Sequence, residues 1–80
     1  MDPMITLMTE ILREKFKIQK PLGPESDIND IGLDSLDVIN FLYSLEEKTG
    51  VAVPDEDINR LRLRTLASFA AYVTERRTMA

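Results

Sequence analysis

Gly32-Leu33-Asp34-Ser35-Leu36-Asp37 is the stretch on which the reading of this chain turns. It closes a long polar segment and opens an apolar run with helical spacing that reaches Glu47. Asp34 has the character of an N-cap, because its carboxylate can accept a backbone N–H from the first turn. Ser35 then falls on the first helical position, with its hydroxyl at the positive end of the helix dipole. An anion joined to that hydroxyl would meet unpaired N–H groups and a favourable field. The local physics therefore favours a phosphorylated or phosphate-esterified serine. The plain alternative is a helix cap with no further role, and Asp-Ser before an apolar run is most often only that. The surroundings have to decide.

Eighty residues allow one small domain. Such a chain buries only about 60% of its unfolded surface, so modest stability is expected and a deep cleft between domains is excluded. No run approaches a membrane span, and the N-terminus lacks the basic-then-apolar pattern of a signal peptide. A cytoplasmic protein is expected. The chain has no cysteine and no histidine. Disulfides and zinc-thiolate sites are thereby excluded, and a Ser-His-Asp triad cannot form. Ser35 is thus not a self-activated nucleophile, and a stand-alone enzyme is the least favoured class.

The net charge of −4 conceals an asymmetry. Residues 21–59 hold ten acidic side chains and one basic one, Lys48, for −9. Residues 1–20 come to +1 and residues 60–80 to +4. The negative field surrounds Ser35. It should steer basic protein patches toward that residue and repel nucleic acid. The alternative, that the acidic surface serves solubility alone, is weakened by the clustering.

Outward from the serine, the patterning is helical. Asp2-Pro3 starts a helix over about residues 3–17, with Met4, Leu7, Met8, Ile11, Leu12 and Phe16 on one face and Ile5 widening it. Residues 18–34 form a long connection broken by Pro21, Gly23 and Pro24. Ile28, Ile31 and Leu33 should anchor it beneath the helices, and Gly32 should supply an unusual backbone angle. The second helix spans 35–49. Val38, Phe41, Leu42 and Leu45 face the core, while Asp37, Asn40, Ser44, Glu47 and Lys48 share a polar face. Leu36, Ile39 and Tyr43 fall on the border, near Glu46 and Glu47. An apolar strip edged by carboxylates suits a partner surface, with Ile39 equally suited to inward packing.

Gly50 stops that helix, and Val51-Ala52-Val53 reads as a packed loop. A short acidic helix follows over about 56–61, with Ile58 and Leu61 facing inward. Asp55-Glu56-Asp57 lacks the spacing of a calcium loop and reads as a charged helix start, so no metal site is expected. Thr65 caps a last helix that ends near residue 76, with Leu66, Phe69, Ala70 and Val73 inward and Thr78 to Ala80 fraying. The fold class is all-α: a small four-helix bundle with three longer helices, one short helix and a long loop between the first two. One domain fills residues 1–80, with a core of about 4–76.

The Asp34-Ser35-Leu36 tripeptide, Leu45-Glu46-Glu47, Val53-Pro54-Asp55-Glu56 and the last helix together resemble the acyl carrier protein family over about residues 4–76. That resemblance implies a 4'-phosphopantetheine arm on Ser35, transferred from coenzyme A by a phosphopantetheinyl transferase. The arm would supply the thiol that the chain lacks and hold acyl groups as thioesters, for fatty-acid, polyketide or related specialised biosynthesis. Asp34 would help present the serine and Leu36 would contact the transferase. Asp37, Ile39, Tyr43, Glu46, Glu47 and Glu56 would recognise acyl-loading and acyl-processing enzymes that carry basic patches. A monomer is expected, without nucleic-acid partners. Family members can admit a short or medium acyl chain between the helices; the residues here do not decide that.

Two departures from the family pattern stand out. Asn40 occupies a position that often carries glutamate, and Arg60, Arg62 and Arg64 make the region after the short helix unusually basic. Both suggest a dedicated carrier with a narrow partner set. Two other readings stay open. An aminoacyl or peptidyl carrier shares the fold and arm, but more often shows Gly-Gly-x-Ser-Leu at its attachment site, against Leu33-Asp34 here. An unmodified helical docking module would use Asp34-Ser35 as a cap alone. The initiating Met and compact ends favour a free-standing carrier over a piece of a larger synthase.

Overall fold

Asp2 opens the first helix, α1 (Pro3–Lys15), by accepting the Met4 N–H at 2.8 Å. This computed structural model describes residues 2–79. Three further helices follow in order: α2 (Ser35–Thr49), α3 (Asp55–Leu61) and α4 (Leu66–Met79). The described residues contain no strand, only one isolated bridge between Asp27 and Thr65. The chain is all-α, as its patterning predicts.

The apolar stripes meet in one core. α1 packs against both α2 and α4. Met8, Leu12, Phe41, Leu45, Leu66, Phe69 and Val73 are fully buried. Burying a side chain of this size contributes about 1.5–3 kcal/mol. Phe16 closes the α1–α2 end with an edge-on contact to Phe41, ring centroids 6.5 Å apart. Val51 and Val53 are buried without forming a strand, so that segment is the packed loop the sequence suggests.

The long loop, residues 16–34, is fastened in two ways. Ile28 and Ile31 are buried and Leu33 packs half-buried against the core. Its polar backbone is stitched to the α3–α4 junction. The Ile28 N–H donates to the Arg64 carbonyl at 2.7 Å, and Arg64 pairs with Asp27 at 3.1 Å. The Leu66 and Ala67 N–H groups donate to the Ser26 and Pro24 carbonyls at 3.0 and 2.9 Å. Thr65 completes the α4 start, as expected of a cap, by accepting the Ser68 N–H at 3.1 Å.

Several boundaries and faces differ from expectation. α1 ends two residues early, because Lys17 enters the left-handed region (φ 57°) and the Ile18 N–H turns back to the Leu12 carbonyl. α3 begins one residue early, directly after Pro54. Leu61 does not face inward: it is 44% exposed, on a helix with no buried residue. α4 continues to Met79, so Thr78 and Met79 do not leave the helix, and Ala80 lies outside the described residues. Ser44 is buried, not on a solvent face, and its hydroxyl accepts a hydrogen bond from Lys15 Nζ at 3.2 Å. The lysine reaches across from α1 and covers it. Tyr72, absent from the expected core, is buried beside Val73.

Candidate functional site

Gly32 turns the loop into α2. Its φ of +97° lies where a side chain is strained, and buried Ile31 and half-buried Leu33 pin the chain on either side. Asp34 follows in an extended conformation and caps the helix. Its Oδ1 accepts the Asp37 N–H at 2.8 Å, while Asp37 Oδ2 accepts the Asp34 N–H at 3.4 Å. This reciprocal pair is a capping box built from two aspartates. The Val38 N–H is taken by the Asp34 carbonyl at 3.0 Å.

Two first-turn N–H groups remain, those of Ser35 and Leu36, and neither has a partner among the described residues. The contrast with α4 is instructive, since its first four N–H groups all have acceptors. α3 also leaves open donors, but Asp55, Glu56 and Asp57 crowd its first turn and would repel an anion. At the start of α2 two open donors sit beside an exposed hydroxyl. Ser35 is exposed at the helix tip, where a phosphate ester would gain both the N–H groups and the dipole. The residues present therefore fit a phosphodiester-linked group.

Below Ser35, α2 displays an apolar stripe. Leu36 and Tyr43 are each 65% exposed and Ile39 is 39% exposed. Glu46 and Glu47 are exposed beyond them. Ile39, Leu42, Tyr43 and Glu46 form one wall of a groove of about 310 Å³, and Ala52, Val53, Pro54 and Asp55 form the other. Glu56 is exposed on the first turn of α3, next to that second wall. The fold thus aligns Ser35, Leu36, Ile39, Tyr43 and Glu46 along one side of the molecule. Asp37 stands apart from the stripe, half-buried and engaged in the cap.

Sequence reasoning missed three things. The Asp37 side chain's capping role was signalled by the Asp-x-x-Asp spacing. The groove's far wall depends on how residues 52–55 fold back, which no periodicity reports. The third is a polar cluster of Asp57, Tyr72 and Arg76 joining α3 to α4. Tyr72 sits one residue before Val73, and only three-dimensional packing reveals its partner. Among the described residues no group of acidic side chains is arranged to hold a metal ion.

A helical domain with a capped serine between an acidic collar and an apolar stripe fits the carrier that the sequence resemblance implies. Comparison with known proteins agrees. Residues 6–73 match the family model described as the phosphopantetheine attachment site. The chain is 32% identical over 74 residues to the acyl carrier protein of Clostridium perfringens strain 13, spanning 90% of this chain and 95% of that protein. It is 46% identical over 39 residues to the acyl carrier protein of Helicobacter pylori strain G27, about half of each chain. The chain belongs to the phosphopantetheine-binding acyl carrier protein family. Its cofactor is 4'-phosphopantetheine, and its role is carriage. Carriers of this family work with a phosphopantetheinyl transferase and with acyl-processing enzymes.

Proposed function

We propose that Ser35 is the attachment point and that the protein carries acyl intermediates for fatty-acid, polyketide or related specialised biosynthesis. The observation that carries this is the exposed Ser35 hydroxyl beside two open N–H groups at the tip of α2. In the loading step the Ser35 Oγ attacks the phosphorus of coenzyme A that bears pantetheine. An Oγ–P bond would form as the pyrophosphate P–O bond breaks, the adenine nucleotide would leave with the bridging oxygen, and the hydroxyl proton would pass to a base of the transferase. The Asp34–Asp37 cap would hold the serine at the helix tip, and the open Ser35 and Leu36 N–H groups would be available to the new phosphate. Once attached, the arm supplies the thiol on which acyl groups ride as thioesters.

Leu36, Ile39 and Tyr43 supply apolar contact for the transferase and later enzymes. Asp37, Glu46, Glu47 and Glu56 orient those enzymes through their basic patches. The groove between α2 and residues 52–55 suits a short acyl chain, because Ile39, Leu42 and Val53 line it. The single carrier domain, 1–80, acts as a cytoplasmic monomer. No helix among the described residues is long and apolar enough to cross a membrane.

A narrow partner set is the finer part of this reading. It rests on exposed Asn40 and on Arg62, which joins none of the ion pairs among the described residues, whereas Arg60 and Arg64 are paired with Asp57 and Asp27. Efficient loading by housekeeping synthases, equal to that of their own carrier, would remove it. The central test is co-expression with a broad-specificity phosphopantetheinyl transferase, read by intact mass. One added arm is expected on the wild type and none on Ser35→Ala. A folded protein that stays unmodified leaves only the docking-module role.

A further inference from the structure

α3 is held in an unusual way. It has seven residues, no buried side chain and no side-chain cap. A helix so short does not persist on its own. Ile58 gives it one half-buried apolar contact with the core. Asp57 supplies the rest. Its Oδ2 accepts a hydrogen bond from the Tyr72 hydroxyl, and Arg76 approaches the same oxygen at 3.5 Å. The Arg76 guanidinium also lies over the Tyr72 ring, 4.5 Å from its centroid. Arg60 takes the other oxygen, Oδ1, at 3.1 Å. Tyr72 is itself buried on α4, whose core face is continuous with Phe69 and Val73. The short, unburied helix is therefore tied to a buried one through a single carboxylate. The consequence reaches the groove, because Pro54 and Asp55, two of its wall residues, lie three and two residues before Asp57 in the same segment.

We propose that Asp57 and Tyr72 are positioning residues: together they latch α3 onto α4 and so fix the wall of the groove that faces α2. That the groove receives cargo rests on the carrier reading; the latch itself does not. The charges support the geometry. The Tyr72 hydroxyl first, then Arg60 and Arg76, hold the Asp57 carboxyl below the usual carboxylate range against a smaller opposing effect of burial. Burial first, then the bond to Asp57, pushes the Tyr72 hydroxyl up.

Amide hydrogen exchange on the unmodified protein tests the latch. Tyr72→Phe is the decisive variant, because it keeps the ring, its burial and the Arg76 stacking while removing one hydroxyl. Asp57→Ala and the double variant complete a cycle. Amides at the C-terminal end of α3 should exchange about three- to tenfold faster in Tyr72→Phe, a hydrogen bond to a charged group discounted for its partial exposure. The double variant should be little faster than Asp57→Ala alone, because both changes break one interaction. Core amides of Leu12, Leu45 and Phe69 should keep their protection. Methyl resonances of Ile39 and Val53, on opposite walls of the groove, should shift in Tyr72→Phe while those of Met8 stay put. Unchanged α3 exchange in Tyr72→Phe overturns the proposal. So do additive effects in the double variant, or equal acceleration in all four helices. Failure of the wild type to accept an arm would instead sink the carrier reading and leave this result standing.

Discussion

Replacing Asp34 by alanine isolates what the cap contributes to the attachment helix. The carboxylate makes one good hydrogen bond, to the Asp37 N–H at 2.8 Å. It also places a negative charge at the positive end of a 15-residue helix. Losing an N-cap costs about 0.5–2 kcal/mol, typically near 1. The charge–dipole part of that, at an exposed position, is about 0.3–1 kcal/mol. The reciprocal bond, from the Asp34 backbone N–H to Asp37, survives the substitution, and at 3.4 Å it is long and weak. A net loss of about 1 kcal/mol follows, which for a domain of this size lowers Tm by about 4–8 °C. Asp34→Asn keeps an oxygen acceptor but no charge, so it should fall between alanine and wild type. Thermal unfolding followed by helical circular dichroism at low ionic strength reads all three. Added salt should narrow the gap between Asn and wild type, because screening weakens the dipole effect. An alanine variant that melts within a degree of wild type would show that the box does not hold the α2 tip. The account of how Ser35 is presented would then fail with it.

Other substitutions separate shape from charge. Gly32→Ala meets no atom within 4 Å, so it adds strain without crowding; at φ +97° a loss of about 1 kcal/mol is expected by denaturant unfolding. Leu36→Ala should leave stability within about 0.5 kcal/mol, since the side chain is mostly exposed. If Leu36 is a contact of the transferase, the same variant should slow arm installation by about tenfold, measured as kcat/KM for loading; unchanged loading would remove it from the partner surface. Acid titration probes Asp57. Its carboxyl is depressed in the folded state, so the stability it contributes is present above the ordinary Asp value and lost as pH falls through the lower folded value. That window opens at about pH 4 and extends downward. Tyr72→Phe removes the first cause of the depression, and its acid-unfolding midpoint should move to higher pH relative to wild type. A midpoint that stays in place would mean the hydroxyl does not stabilise the carboxylate.

What the sequence discloses here follows from which interactions are local. The limits of α2 depend on Asp34 and Gly50, a cap and a left-handed stop whose chemistry is written in neighbouring residues, and both ends fall where patterning puts them. The loop anchors were readable because Ile28, Ile31 and Leu33 are isolated apolar residues in a polar stretch that must go somewhere. Ser44 and Leu61 went astray for the opposite reason. Their burial is decided by distant elements: Lys15 arrives from α1 to cover one, and α3 lies too far out on the surface to bury the other. A wheel drawn on a single helix contains neither fact.

The same distinction explains the uneven legibility of the site. Ser35, its cap and the border residues Leu36, Ile39 and Tyr43 lie within one helix, so periodicity alone orders them along one side. The groove and the Asp57–Tyr72 contact join residues on different helices, and fifteen positions separate the latter pair. Asp57 looked like one more charge in an acidic collar. The fold draws it toward internal structure, where it holds Tyr72 and Arg76. Of the ten acidic residues between 21 and 59, Asp27, Asp37 and Asp57 are half-buried and engaged in internal contacts, while the other seven face solvent. A field carried by those exposed positions favours partners whose basic groups match them in place as well as in sign.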